Sequence, residues 1–365
     1  MDHHLILYGF CRLLLLLGIV YCCAACNGED TKPPIDSQKM IKKDTLGYEN
    51  THIPDYNSPD NAFLVIQNLD LPRQETLLLF SQLLRESWNQ NLIDAYLQKI
   101  AINEEQIQSI LSQRYYLSPR IEQATDSVEH IKKSRLYLLY LMINGENLLR
   151  KGEYQRGLDC LNAGLRQTEM ISSYPACTME FLTSYVNLKS ISDFLLHLKK
   201  NELLSKQDLT LLFVPQKMVQ QMPVALYLAL SGDQQAILSL IAEVQNGGLP
   251  EIKLDMALRG HYQGLYQDLQ KVKPDHIDAV LSSELSELLK TCLQGKVYEV
   301  DLSAYPFLAP AEENVLQYFL TPYCHLFPQI QKIFHQVLIF RDSNIGTSDR
   351  TVTSDLFPKI FSGKK

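Results

Sequence analysis

The sequence predicts an all-α protein whose body is an irregular stack of antiparallel helical hairpins. Three observations lead to this class. From Asn61 onward apolar residues recur at three- and four-residue steps, and no stretch alternates apolar with polar residues. Prolines and glycines divide the chain into segments of helix length. A short extended segment is expected only at 296–302, where β-branched and aromatic residues cluster.

The first helices of the body are predicted from their starts and from apolar spacing. Ser58-Pro59 offers a cap and a first-turn proline for a helix at 61–68. A second helix follows, with one apolar face at three- and four-residue spacing. The members of that face are Leu77, Phe80, Leu83, Leu84 and Trp88. Helices at 95–102 and 104–111 continue the series.

The segment 136–170 is the best-defined hairpin. Its first part, the apolar run 136–143, has the length of a buried strand, but its helical flanks favour a buried helix. Three glycines, Gly145, Gly157 and Gly164, accompany a turn at 151–153.

This unit resembles one tetratricopeptide (TPR) repeat, in which small residues let two antiparallel helices approach closely. The resemblance implies that Gly157 and Gly164 face a neighbouring helix. Glu169 stands where that family usually has proline, and no 34-residue period runs through the chain.

A second hairpin is expected at 224–243, with Ser231-Gly232-Asp233 as its turn. The clearest internal break is 246–250, which could divide two subdomains or form a loop within one helical stack. The α-helical domain is expected to cover 61–341, and 342–365 to be a loose C-terminal tail.

The N-terminus has the layout of an export signal at 1–25. An apolar run at 13–20 is followed by small residues and then by polar chain. Cys23-Ala24-Ala25-Cys26 resembles a bacterial lipobox, although Cys23 replaces the usual aliphatic residue. The resemblance implies that lipid (diacylglycerol and palmitate-type chains) is attached at Cys26, and Asn27 after it favours the outer membrane over the inner one.

Two alternatives to the lipoprotein signal remain at this stage. One is an ordinary cleaved signal, and the other is an uncleaved membrane anchor at 5–25 that would contain Arg12. In the lipoprotein interpretation, 26–60 is a lipid-anchored flexible tether, because prolines and charges there leave no apolar period.

A broader resemblance lies in the order of short motifs. Ile53-Pro54-Asp55, Tyr116-Leu117-Ser118-Pro119 and Leu320-Thr321-Pro322 occur in an order similar to that of exported bacterial helical proteins without an assigned activity. This resemblance supports the helical fold and implies no function.

The residues offer little chemistry. Cys160 and Cys177 fall on consecutive predicted helices and form a candidate disulfide; the alternative is that the cysteines of the body are buried thiols. The sequence lacks HExxH, GxSxG, GxxxxGK[ST] and GxGxxG, so we predict no catalytic, cofactor-binding or metal-binding residue and no cofactor. His197 is expected at the edge of the core, and Tyr115, Tyr116, Tyr137 and Tyr140 in helix packing or along a groove.

Composition narrows the function. The chain has 365 residues and a formal net charge of −7, which argues against nucleic acid as a partner. The sequence therefore predicts a membrane-tethered envelope lipoprotein that acts as a non-enzymatic binding or scaffold module with a protein partner. A cell-envelope hydrolase with a dispersed active site and a purely structural envelope component are the alternatives.

Overall fold

The protein is described by a computed structural model that covers residues 52–84, 88–100, 102, 104–119, 129–249, 251, 264–293 and 298–324. Within these ranges regular structure is helical, and β-type pairing is limited to one isolated parallel bridge between Asn61 and Tyr115. The all-α class is therefore confirmed. The predicted signal at 1–25, Cys26, most of the tether and the tail at 342–365 lie outside the described residues.

The helices of the described ranges are numbered here in chain order. They are α1 (Ala62–Gln67), α2 (Arg73–Leu84), α3 (Gln90–Lys99), α4 (Glu104–Ser112), α5 (Glu129–Arg150), α6 (Tyr154–Ser173), α7 (Thr178–Lys200), α8 (Lys206–Thr210), α9 (Gln216–Gln220), α10 (Met222–Gln245), α11 (Leu265–Lys271), α12 (Pro274–Leu293) and α13 (310–324).

The first helices begin at side-chain caps. The Asn61 side chain accepts the N–H of Phe63 at 3.1 Å and starts α1. Asn89 caps α3 in the same way, by accepting the N–H of Leu92 at 3.2 Å. The predicted helix at 95–102 therefore begins five residues earlier than expected, and Trp88 precedes α3 instead of ending α2.

The centre of the molecule consists of α5, α6 and α7. The run 136–143 lies within α5 and is buried, so the helical interpretation is confirmed. A Cβ atom at Gly157 would lie 2.8 Å from Leu149 of α5, and one at Gly164 would lie 2.8 Å from Leu138. These pairs run in opposite directions along the two helices. The predicted close antiparallel contact at both glycines is confirmed, whereas the TPR-like arrangement as a whole stays a prediction.

The predicted hairpin at 224–243 is wrong. α10 continues through Ser231-Gly232-Asp233 without a turn. A Cβ atom at Gly232 would lie 1.8 Å from the carbonyl oxygen of Ala176, which precedes α7. Glycine is required here by this close approach of two backbones and not by a turn.

α10 connects the two halves of the chain. It packs against α6 and α7 on one side of the 246–250 break and against α11 and α12 on the other. Buried apolar side chains from Ala62 to Tyr323 form one continuous core. At the expected extended segment, 298–301 has no regular secondary structure and Leu302 begins a 3₁₀ turn, Leu302–Ala304, because Asp301 caps it.

α10 is also the one helix in the described ranges that is long and apolar enough to cross a membrane. It carries the buried Asp233, and its contacts with α7 and α12 are those of a core helix. The length and composition of α10 are therefore also those of a core helix.

Candidate functional site: two buried carboxylate clusters

Two acidic side chains meet at the N-terminus of α7. Glu180, in the first turn, accepts the backbone N–H of Ala176 through Oε2 at 2.7 Å. Asp233 of α10 accepts the backbone N–H of Thr178 through Oδ1 at 3.1 Å. A helix leaves its first N–H groups without intrahelical partners, and its N-terminus attracts negative charge. Asp233 therefore caps the first residue of α7, whereas Glu180 reaches back from the first turn to Ala176, two residues before the helix begins.

Glu180 also joins two other parts of the chain. The hydroxyl of Ser118 donates to its Oε2 at 2.9 Å. The Oε1 atom lies 3.7 Å from Nε2 of His130 on α5, a distance of ionic contact that exceeds hydrogen-bond length. All three side chains are buried, so this meeting point is inside the fold.

Asp233 makes the corresponding connection to the C-terminal part of the described chain. The hydroxyl of Tyr323, on α13, donates to its Oδ2 at 2.6 Å. Together these groups form what we call the α7 N-terminal cluster. Its members are Ser118, His130, Cys177, Glu180, Asp233 and Tyr323.

Burial dominates the electrostatics of this cluster. It raises the pKa of Glu180 to about 7, although the Ala176 N–H and the Ser118 hydroxyl oppose the shift. It raises the pKa of Asp233 to about 6, against the hydrogen bonds from Thr178 and Tyr323. Burial also raises the pKa of the Cys177 thiol, and the nearby carboxylates add to that shift. The cluster therefore favours neutral side chains.

A second cluster lies at the C-terminal ends of α5 and α7. Glu146, in the last turns of α5, is fully buried and accepts two hydrogen bonds from Arg150 through one oxygen, Oε1. Its Oε2 lies 3.6 Å from Nε2 of His197 on α7. The Arg150 guanidinium lies 4.4 Å from the centre of the Trp88 ring, a cation–π contact. We call Trp88, Glu146, Arg150 and His197 the α5 C-terminal cluster.

Polar side chains connect this second cluster to α3. Gln90 accepts from the Trp88 indole N–H at 3.0 Å and donates to Asn147 at 2.8 Å. Lys151 binds Asp94 at 2.8 Å, and its hydrogen bond lowers the pKa of that carboxyl group. These bonds hold α3 against the end of α5.

The residue types of the α7 N-terminal cluster, serine, histidine and glutamate, also occur in hydrolase active sites. Their arrangement here differs from a catalytic one, because Ser118 donates to Glu180 and not to His130. Ser118 is 1% exposed and His130 8% exposed, and Glu180 already accepts the Ala176 N–H. The geometry fits a structural joint. Among the described residues, no group of three or more histidine, cysteine or acidic side chains is placed to hold a metal ion.

The candidate disulfide is not formed. Cys160 and Cys177 are both buried thiols in the structure, as in the alternative prediction. Gly164, one turn after Cys160, lies opposite Ile191 of α7. Cys177 directly precedes that helix, 14 residues before Ile191, and Cys160 lies a further four residues away on the antiparallel α6, so the two cysteines are separated by about 27 Å along the helix axis. A disulfide needs Cα atoms within about 7 Å.

The tyrosines and His197 lie where packing predicts them. Tyr116, Tyr137 and Tyr140 are buried, and the rings of the last two stack at 6.1 Å. His197 stacks on Phe194 at 5.8 Å at the edge of the core. Sequence reasoning identified the helices but missed Glu146, Glu180 and Asp233. The available signal was a single acid within an apolar helical stretch, as in the Met179–Leu182 segment MEFL.

Comparison with known proteins adds no relative to this description of an all-α chain. No protein-family model matches the sequence, and neither a curated protein nor a solved structure is significantly similar to it.

Proposed function

We propose that this chain is a lipid-anchored protein of a bacterial envelope membrane, and that its helical body is a non-enzymatic binding or scaffold module. The observation that carries the proposal is the lipobox-like Cys23-Ala24-Ala25-Cys26, followed directly by polar chain. Two or more acyl chains at Cys26 would give stable anchoring, whereas a single chain binds a membrane only marginally. Asn27 after the cysteine favours the outer membrane.

The start of the body is compatible with a tether that arrives from the membrane. His52, Asp55, Asn57 and Pro59 are exposed, so this part of the chain runs along the surface. It is fastened to the body at Asn61, which is fully buried. A force on the tether would therefore act on the hydrogen bonds of the buried Asn61 side chain.

Two features support a non-enzymatic binding role: the buried carboxylates bond within the fold, and large apolar side chains are exposed at the surface. Glu146, Glu180 and Asp233 all bond to groups of the fold itself, which is the pattern of structural carboxylates. Large apolar side chains are exposed on α2 and α3, where Leu78 is 58% and Leu92 50% exposed. These exposed leucines are the positions at which we propose that a protein partner makes contact.

Anchoring is tested with cells fed a labelled fatty acid. We expect the wild-type protein and the matched control Cys22→Ser to be labelled, and Cys26→Ser to be unlabelled and to persist as a larger precursor. If the Cys26→Ser protein is still labelled, the lipid is attached to another residue. A wild-type protein that is never labelled but stays in the membrane would favour the uncleaved anchor at 5–25.

Binding is tested with a photo-crosslinking amino acid in intact membranes. We expect Leu78, when replaced by the crosslinker, to give a discrete adduct that saturates and is competed by unlabelled protein. Asp275, an exposed position in the first turn of α12, is the control. Equal, diffuse labelling from both positions would contradict a specific partner at α2.

A further inference from the structure

The N-terminal part of the body is bonded to α5 through Gln67, and a second set of contacts leads from it to Glu180. We call residues 52–69 the N-terminal strap and residues 113–119 the docking segment. The Asn61 side chain donates to the Leu117 carbonyl and accepts the Leu117 N–H, each at 2.9 Å. The backbone N–H of Ala62 donates to the Tyr115 carbonyl at 2.9 Å. The Arg114 N–H donates to the Asp60 carbonyl at 3.2 Å, so the strap is bound to the docking segment through backbone groups of three residues.

Aromatic packing reinforces this attachment. The Phe63 ring lies 5.6 Å from the Tyr116 ring and 5.8 Å from the His130 ring, centre to centre, both in edge contacts. The Tyr115 hydroxyl donates to the Asp55 carbonyl at 2.7 Å. The strap therefore covers the side of the α7 N-terminal cluster that contains His130.

The next link leads from the docking segment to the helix end. Ser118, one residue after Leu117, donates to Glu180, and Glu180 accepts the N–H of Ala176 with the same oxygen. One buried carboxylate oxygen is therefore shared between the docking segment and the start of α7. Any change in the hydration of that carboxylate acts on both.

We propose that the contact between Ser118 and Glu180 is a pH-sensitive latch, which holds the N-terminal strap closed when the Glu180–His130 pair carries a proton and loosens when the pair loses it. With one proton, on either residue, the buried pair is neutral; without it, the pair carries one negative charge inside the protein. A buried charge without full compensation is unfavourable. The proposal concerns the body alone and does not depend on the lipid anchor.

Other titratable groups face the latch from every element packed around it. They are Tyr116 on the docking segment, His130 on α5, Cys177 before α7, Asp233 on α10 and Tyr323 on α13. The two tyrosines and the cysteine keep their protons near neutral pH, because burial raises their pKa values well above the ordinary range. Asp233 adds negative charge as the pH rises, in the same direction as Glu180.

The expected direction follows from proton linkage. Opening of the strap exposes Glu180 to water and returns its pKa from about 7 toward the ordinary value of 4.5. The closed state thus binds the proton more tightly, and rising pH favours opening, by up to tenfold per pH unit between these two values.

The test is hydrogen exchange of the full chain in detergent at pH 5 and pH 7, corrected for the intrinsic exchange rates. We expect the opening equilibrium of peptides from the N-terminal strap and the docking segment to increase at least tenfold at pH 7. Peptides from α12 serve as the internal reference. A strap whose corrected exchange is the same at both pH values would overturn the proposal.

Variants distinguish the latch from a general effect of acidic pH on the stability of the protein. Glu180→Gln keeps an oxygen for Ala176 and Ser118 but does not titrate, so the pH dependence of strap exchange should fall to the part contributed by Asp233. Asp193→Asn, an exposed acid on the same helix, should behave as wild type. Ser118→Ala should keep the pH dependence of amides at the start of α7 and lose it in the strap. An unchanged pH dependence of the strap in Ser118→Ala would contradict the latch even if Glu180→Gln fails to fold.

Discussion

Glu180 and Glu146 are both buried beside a histidine, yet they lie at opposite ends of the parallel helices α5 and α7. At one end, α5 supplies His130 and α7 supplies Glu180; at the other, α5 supplies Glu146 and α7 supplies His197. The two sites are about 24 Å apart along α5. The same pair of residue types therefore occurs in two different electrostatic environments.

The difference between the two sites comes from the helix ends. Glu180 lies in the first turn of α7, at the positive end of the helix dipole, and accepts hydrogen bonds from two neutral donors, the Ala176 N–H and the Ser118 hydroxyl, with His130 3.7 Å away. Glu146 lies near a C-terminus, the negative end, and is accompanied by Arg150, which donates two charge-assisted hydrogen bonds to its Oε1. The comparison teaches that a buried carboxylate held by neutral donors changes its charge with pH. A buried carboxylate paired with arginine instead depends on that cation for its stability.

The largest loss of stability is expected at Gly232, where α10 closely approaches the backbone that precedes α7. Gly232→Ala places a methyl group onto the Ala176 carbonyl and should destabilise the protein by about 3 kcal/mol or more, because backbone must move. Urea unfolding measures the change. Gly248→Ala, where the new atom would be 3.4 Å from its nearest neighbour, is the control. Equal stability of the two variants would mean that α10 does not approach α7 this closely.

The α5 C-terminal cluster is broken by removing its cation. Arg150→Met leaves Glu146 buried without the guanidinium and should cost about 2–4 kcal/mol of unfolding free energy. Arg156→Met removes an exposed partner of Glu153 and should cost less than about 1 kcal/mol. If both variants unfold at the same urea concentration, Arg150 does not compensate Glu146.

The packing between the clusters is tested at Gly157. Replacement by leucine should overpack the contact with Leu149 and the Gly145 carbonyl, at a cost of about 1–3 kcal/mol. Thermal unfolding followed by circular dichroism gives the change, with Gly248→Leu as the exposed control. A melting temperature equal to that of the wild type would reject the close antiparallel contact of α5 and α6.

The smallest change in stability is expected from removing a single hydrogen bond, the one from Ser118 to Glu180. Ser118→Ala leaves Glu180 with the Ala176 N–H and should lower the free energy of unfolding by about 1 kcal/mol. Ser81→Ala removes an exposed hydroxyl that bonds only within α2 and should change it by much less. Indistinguishable urea midpoints would show that the Ser118 bond adds no stability.

Apolar spacing predicted the helices well because a packed helix needs a continuous apolar face. This is why α5 and the position of His197 at the edge of the core could be predicted, whereas the contacts at Gly157 and Gly164 were expected from the resemblance to a TPR repeat. The turn predicted at Gly232 was wrong because glycine serves two needs, positive φ and close backbone approach, which look identical in a sequence. The role of Asp233 was missed for a different reason, because its partners Thr178 and Tyr323 are 55 and 90 residues away in the chain.

The central claim, that Glu180 is a buried carboxyl group which prefers to be neutral, is tested by the pH dependence of stability. Since the folded protein holds this proton at pH values where the unfolded chain has lost it, stability falls as the pH rises from 4.5 to about 7. Urea unfolding of the wild type should lose about 2 kcal/mol through Glu180 between pH 5 and pH 7. We predict that Glu180→Gln removes this part of the loss while Asp193→Asn retains it. An identical pH dependence in wild type and Glu180→Gln would contradict the account.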